Sequence, residues 1–155
     1  METGMETSPR TAEVGMREAL NPPYYREGLA TRPLECIEVA RLLPFDLGCA
    51  VKYVWRMGMK GPWREDLGKA RWYLRDYVRH RRPEEATAGV SALARLDQVD
   101  DAAAEQPWRL RLAAMRAVAR GRCDLALAAL DRLGEWFAER DAKEEKAGDG
   151  EGREG

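Results

Sequence analysis

The stretch LECIEVARLLPFDLGCAVKYVWRMGMKGPWREDLGKARWYLRDYV, residues 34–78, decides the fold. Its apolar residues recur every three to four positions and nowhere keep the two-residue alternation of a half-buried strand. Thr31 is placed to cap a first helix with Pro33 in its first turn, and Leu34, Ile37, Val39, Ala40 and Leu43 form its apolar stripe until Pro44 stops it. Asp46 is placed to cap a second helix behind Phe45, whose ring is positioned to staple onto Ala50. Leu47, Ala50, Val51, Val54 and Met57 then fall on one side, and Gly58 and Gly61 mark the end. Pro62 and Trp63 introduce a third helix from Arg64 to about His80. Its inward stripe is Leu67, Ala70, Leu74, Tyr77 and Val78, with Glu65 and Asp66 at the positive end of the helix dipole.

Working outward, the chain after Pro83 predicts three alanine-rich amphipathic helices, over about 84–97, 107–119 and 122–139. Leu110, Leu112, Met115, Val118, Leu125, Leu127, Leu130, Leu133, Trp136 and Phe137 suffice to seal a helical hairpin against a neighbour. Residues 83–140 therefore read as a packing or oligomerisation region, and the small size of the bundle makes a homo-oligomer the expected state. Residues 141–155, DAKEEKAGDGEGREG, have the Gly-rich, charged composition of a disordered tail. Upstream, residues 1–20 read as a flexible leader, and NPPYYREGLATRP as an extended stretch that docks through Tyr24 and Tyr25. The fold class that follows is all-α, a small helical bundle (21–82) continued by an alanine-rich hairpin, which excludes the strand-anchored nucleotide folds.

At 155 residues the chain is about one domain long. No run approaches the roughly eighteen apolar residues that cross a membrane, and the N-terminus lacks a secretory apolar region, so a cytoplasmic site is expected. The formal charge of -1, from 26 basic and 27 acidic residues, conceals an uneven distribution. Residues 21–82 hold 13 basic and 7 acidic side chains, whereas both ends are acidic. Such a basic block points to anionic partners, nucleotides or nucleic acid. Cys36, Cys49 and Cys123 are odd in number and form no CxxC pair, which argues against a disulfide framework or a zinc knuckle. His80, the single histidine, lies at a helix C-terminus, where capping is its simplest role.

Several residues in the basic block could carry chemistry. Lys52 and Arg56, four apart, share a helix face; Lys60 follows, and Arg64 and Lys69 lie on the next helix, so the corner between the helices could converge five cations on one di- or triphosphate. Equally, Arg56 and Lys60 could pair with Glu65 and Asp66 as a structural network. Glu35 and Glu38 form an ExxE pair that could hold Mg2+ through carboxylate oxygens, as could Asp66. Tyr24, Tyr25, Tyr53, Trp55, Trp63, Trp72 and Tyr73 are dense enough for one or two to stack on a base, with most expected in the core or an interface. GMKGPW lacks the spacing of a Walker loop and follows a helix.

NPPYYREG, LECIEVARLLPFDLGCAVKYVWRMGMKG and EDLGKARWYLRDYV together resemble a small domain of bacteriophage early proteins and their actinobacterial relatives, over residues 21 to about 80. That family includes a deoxynucleoside monophosphate kinase without a Walker loop. The matching positions are Lys52, Tyr53, Arg56, Lys60, Asp66, Leu67, Lys69, Ala70, Tyr73 and Leu74. The chain departs from the family pattern at Tyr24-Tyr25, where a His-Tyr pair is common, and at Cys49, where Asn is frequent.

The resemblance implies a nucleotide-binding protein and a Mg2+- and ATP-dependent monophosphate kinase. In such an enzyme Lys52, Arg56, Lys60 and Lys69 would neutralise the transferring group, Glu35, Glu38 or Asp66 would hold Mg2+, and Tyr24, Tyr25, Tyr53, Arg64 and Tyr73 would bind the nucleotide. Two alternatives stand beside it: an all-helical nucleotide pyrophosphohydrolase, and a non-enzymatic module that binds a host protein or nucleic acid.

Overall fold

The computed structural model describes residues 34–81 and 89–151. Six α-helices and one 3-10 turn lie among them, with no strand, as the periodicity predicts. They are α1 (Cys36–Ala40), α2 (Phe45–Arg56), α3 (Trp63–His80), α4 (Val90–Asp97), the 3-10 turn Asp101–Ala103, α5 (Trp108–Ala119) and α6 (Cys123–Glu151). Thr31 and Pro33, the leader and residues 82–88 lie outside the described residues.

Helix starts differ from expectation in instructive ways. Glu35 is the N-cap of α1, where Glu38 Oε2 accepts from the Glu35 N–H at 2.7 Å and the Glu35 carboxylate accepts in return from the Glu38 N–H, a capping box. α2 begins two residues early, with Pro44 as N-cap and Asp46 in the first turn. Phe45 does not staple onto Ala50: its ring is 77% exposed and meets Tyr73 edge-on at 6.2 Å. α3 starts at Trp63, which is buried, and Glu65 and Asp66 occupy its first turn as expected.

α2 packs on α3, α3 on α6, α6 on α5 and α5 back on α2, so four helices close a ring, with α1 set against α2 and α4, and α4 against α5. A single core runs through it. Leu47, Ala50, Val51, Val54, Leu67, Ala70 and Leu74 from the first half meet Leu112, Met115, Leu130, Leu133 and Phe137 from the second. The alanine-rich half thus covers the first half's apolar face within one chain. Three stripe residues fall outside: Ile37, Val78 and Leu125 are about half exposed, each at the edge of its stripe.

Two features hold the halves together. Arg111 of α5 is buried, and its Nη1 and Nη2 donate to the Trp55 and Met57 carbonyls at 2.8 and 2.7 Å, satisfying the C-terminal end of α2. The Trp108 and Phe137 rings flank its guanidinium, and burial pushes its pKa down to about 10, so it stays cationic at neutral pH. Gly58, at φ +80°, lets the chain turn against Phe137; a Cβ there would lie 2.5 Å from the ring.

α6 runs on through residues 141–151, where composition predicts a disordered tail. Long-range contacts invisible to composition anchor the start of this extension. Asp141 accepts from Trp63 Nε1 at 2.8 Å, Arg64 lies 3.8 Å from the same carboxylate oxygen, and Arg140 pairs with Glu144 one turn on.

Candidate functional site

The outer face of the α2–α3 pair gathers cations around an aromatic ring. The two helices run antiparallel through a short connection, so Tyr53 near the end of α2 faces the middle of α3. Its ring stacks on Tyr73 with 5.8 Å between centroids and 13° between planes. Lys52 Nζ lies 5.5 Å from the Tyr53 centroid, Arg56 Cζ 5.6 Å and Lys69 Nζ 5.4 Å. All three fall within cation–π range of one ring. Lys52 is exposed, while Arg56 and Lys69 are half-buried.

Carboxylates hold two of these cations in place. Glu65 Oε1 accepts from Lys69 Nζ at 2.8 Å across one helical turn, which lowers the Glu65 pKa and raises that of Lys69. Beneath the cluster Asp66 is 1% exposed, with Oδ1 3.3 Å from Arg56 Nε. Burial raises the Asp66 pKa, and the opposing charges of Arg56 and Lys69 only partly offset it. Asp66 Oδ2 is buried without a hydrogen-bond partner among the described residues. Burial raises the pKa of both Tyr73 and the Cys49 thiol beside it.

The structure brings together Lys52, Tyr53, Arg56, Asp66, Lys69 and Tyr73. Lys60 is exposed in the connection between α2 and α3. Arg64 turns elsewhere: its guanidinium lies 4.3 Å over the Trp63 ring and pairs with Asp141 of α6, and of the five expected cations Lys52, Arg56 and Lys69 share the Tyr53 ring. Tyr24 and Tyr25 lie outside the described residues. His80 Nδ1 is 3.1 Å from the Asp76 carbonyl in the last turn of α3, in keeping with a C-terminal capping role.

Among the described residues Glu35, Glu38 and Asp66 are not gathered at one place. Glu35 and Glu38 are committed to starting α1, and of the three carboxylates expected to hold Mg2+ Asp66 alone lies in the Tyr53 cluster, ion-paired with Arg56. Among the described residues no group of three or more His, Cys, Asp or Glu side chains is arranged to hold a metal ion. None of the described helices is long and apolar enough to cross a membrane.

At the exposed aromatic edge of this face Trp72 is one of the residues whose density suggests stacking on a base, whereas Phe45 is the member that the sequence assigns elsewhere, to a staple on Ala50. Phe45 and Trp72, 77% and 59% exposed, both contact Tyr73, and their helical spacing from Tyr53 and Lys69 was the available signal. Arg111 was missed, because nothing in its local sequence reveals a partner more than fifty residues away.

Among curated proteins and solved structures, none matches the chain. Residues 22–75, which include α1, α2, the connection and most of α3, and so every member of the Tyr53 cluster, match the family described as a protein of unknown function (DUF3310).

Proposed function

We propose that the α2–α3 face binds a nucleotide, with the base against the Tyr53–Tyr73 pair and the phosphates on Lys52, Arg56 and Lys69. The observation that carries this reading is the convergence of three cations within 5.6 Å of one stacked tyrosine. A planar, anionic ligand satisfies both halves of such a site: aromatic faces take the base and charge-assisted hydrogen bonds take the phosphate oxygens. Asp66 serves by orienting Arg56 from below, and Lys52, exposed and flexible, follows the phosphate as a mobile charge.

Monophosphate kinase activity, implied by the resemblance to the phage domain, asks more of the face than binding does. Phosphoryl transfer needs charge neutralisation and precise positioning. The three cations can supply the first, but Glu35 and Glu38 do not fit the Mg2+ role, and no step is assigned through the metal. The proposal is therefore binding, with catalysis as a measured outcome.

Calorimetry with thymidine monophosphate, the other deoxynucleoside monophosphates and ATP, each with and without Mg2+, tests it. Saturable heat with a monophosphate is the expected result, and no heat with any nucleotide would reject the reading. ADP formed only when ATP and a monophosphate are both present would assign transfer, whereas pyrophosphate released from a triphosphate alone would assign hydrolysis.

A further inference from the structure

We infer that the same face binds single-stranded nucleic acid, with Phe45 and Trp72 as base-stacking platforms beyond the nucleotide site. The inference rests on the nucleotide reading for its phosphate contacts and on separate residues for its strand contacts. Phe45 and Trp72 are exposed aromatic side chains with no place in the core, and both lie against Tyr73. From Phe45 to Tyr73 to Tyr53 the ring centroids step 6.2 and then 5.8 Å, and Trp72 stands 5.0 Å to the side of Tyr73. A stacked strand advances about 3.4 Å per nucleotide, so this path spans roughly three to four nucleotides. The rings form a continuous surface that a single nucleotide on Tyr53 leaves mostly uncovered.

Charge identifies the occupant. Trp72, Arg75 and Arg79 recur at three- and four-residue spacing on α3 and are all exposed, which sets two guanidinium groups beside the Trp72 platform. Lys52 and Lys69 stand at the Tyr53 end. The face belongs to the segment with 13 basic and 7 acidic residues in a chain whose overall charge is -1. Aromatic rings interleaved with cations along one path match the alternation of bases and phosphates in an unpaired strand, where stacking tolerates any base and the cations track the backbone. A duplex would keep its bases from the rings, so preference for single strands follows.

The test is fluorescence anisotropy of the full chain with end-labelled oligodeoxythymidylates, from a dinucleotide to about 16 nucleotides, beside calorimetry with thymidine monophosphate. Expected are affinity that rises with length over about the first four nucleotides, weakening as salt is raised, and at least tenfold weaker oligonucleotide binding by the Phe45→Ala/Trp72→Ala double variant, with monophosphate affinity unchanged. Both side chains are exposed, and circular dichroism checks that the variant remains helical. Oligonucleotides that bind no tighter than the monophosphate, or a double variant that binds them like the parent chain, overturn the inference while leaving the nucleotide reading intact. Oligonucleotide binding that depends on Phe45 and Trp72 without monophosphate binding sustains the inference and removes the nucleotide reading. A chain that binds neither, but captures a protein through these rings, overturns both.

Discussion

The α2–α3 pair and the α5–α6 pair both set cations among aromatic rings, yet they use them differently. On α5 Arg111 donates to the Trp55 and Met57 carbonyls and Arg109 to those of Asp101, Ala102 and Ala104, while Arg116 bonds both the Leu96 and Val99 carbonyls and the Asp97 and Asp101 carboxylates. These groups tie loops and helix ends together. On α2 and α3 the cations surround a tyrosine at the surface, and Arg56 and Lys69 are balanced by the carboxylates of Asp66 and Glu65. Arg111, buried and held by two carbonyls, is out of a ligand's reach, whereas a cation at the surface balanced by a carboxylate can exchange that partner for a phosphate. The lesson is that burial together with the acceptor, more than the number of cations, separates a scaffold arginine such as Arg111 from the cations of a surface face.

The largest effect that would break this contrast concerns Arg111. Arg111→Ala leaves the Trp55 and Met57 carbonyls without their donors and opens space between Trp108 and Phe137. A loss of about 3 kcal/mol in urea-monitored stability is expected. Gly58→Ala should follow at about 2 kcal/mol, because φ +80° and the contact with Phe137 both penalise a Cβ. Lys52→Ala should behave in the opposite way, with stability unchanged within about 0.5 kcal/mol and nucleotide affinity reduced about tenfold by calorimetry. Equal stability losses for Arg111→Ala and Lys52→Ala would erase the distinction between the two regions.

The two regions should also answer acid with opposite signs. Asp66 is held above the ordinary aspartate value by burial, so the folded chain takes up its proton before the unfolded chain does. Its contribution to stability therefore increases as pH falls through the raised folded value towards about 3.9. Asp101, held low by its hydrogen bond from Arg116, gives stability above about 3.9 that is lost as pH falls through its depressed folded value. Denaturation curves across this range, for the parent and for Asp66→Asn and Asp101→Asn, should give parent-minus-variant slopes of opposite sign. The smallest effect is at Glu65: Glu65→Gln releases Lys69 from its carboxylate partner, and nucleotide affinity should rise about twofold.

Much of the fold could be read from spacing. Leu47, Ala50, Val51, Val54, Leu67, Ala70 and Leu74 are buried as their periodicity requires, and Pro44, Gly58 and Pro62 mark the helix boundaries closely. The site was legible in part, because Lys52 and Arg56 share a turn and so do Glu65 and Lys69. What stayed hidden depends on partners distant in sequence. ExxE at Glu35 and Glu38 reads identically as a metal pair and as a capping box until the helix start is located. Arg64 sits in the basic block but is drawn off by Asp141, and the same carboxylate helps anchor a helical extension that composition assigns to disorder. Arg111 shows the same limit: a buried arginine and an exposed one differ only in what the rest of the chain brings to them.

Amide chemical-shift mapping of the full chain, titrated with thymidine monophosphate, tests the central claim most directly. Saturable shifts concentrated at Lys52, Tyr53, Arg56, Lys69 and Tyr73, with α5 and the C-terminal half of α6 unmoved, are the predicted result. Shifts centred on α5 and α6, or none at saturating nucleotide, would contradict the assignment of the α2–α3 face as the binding surface.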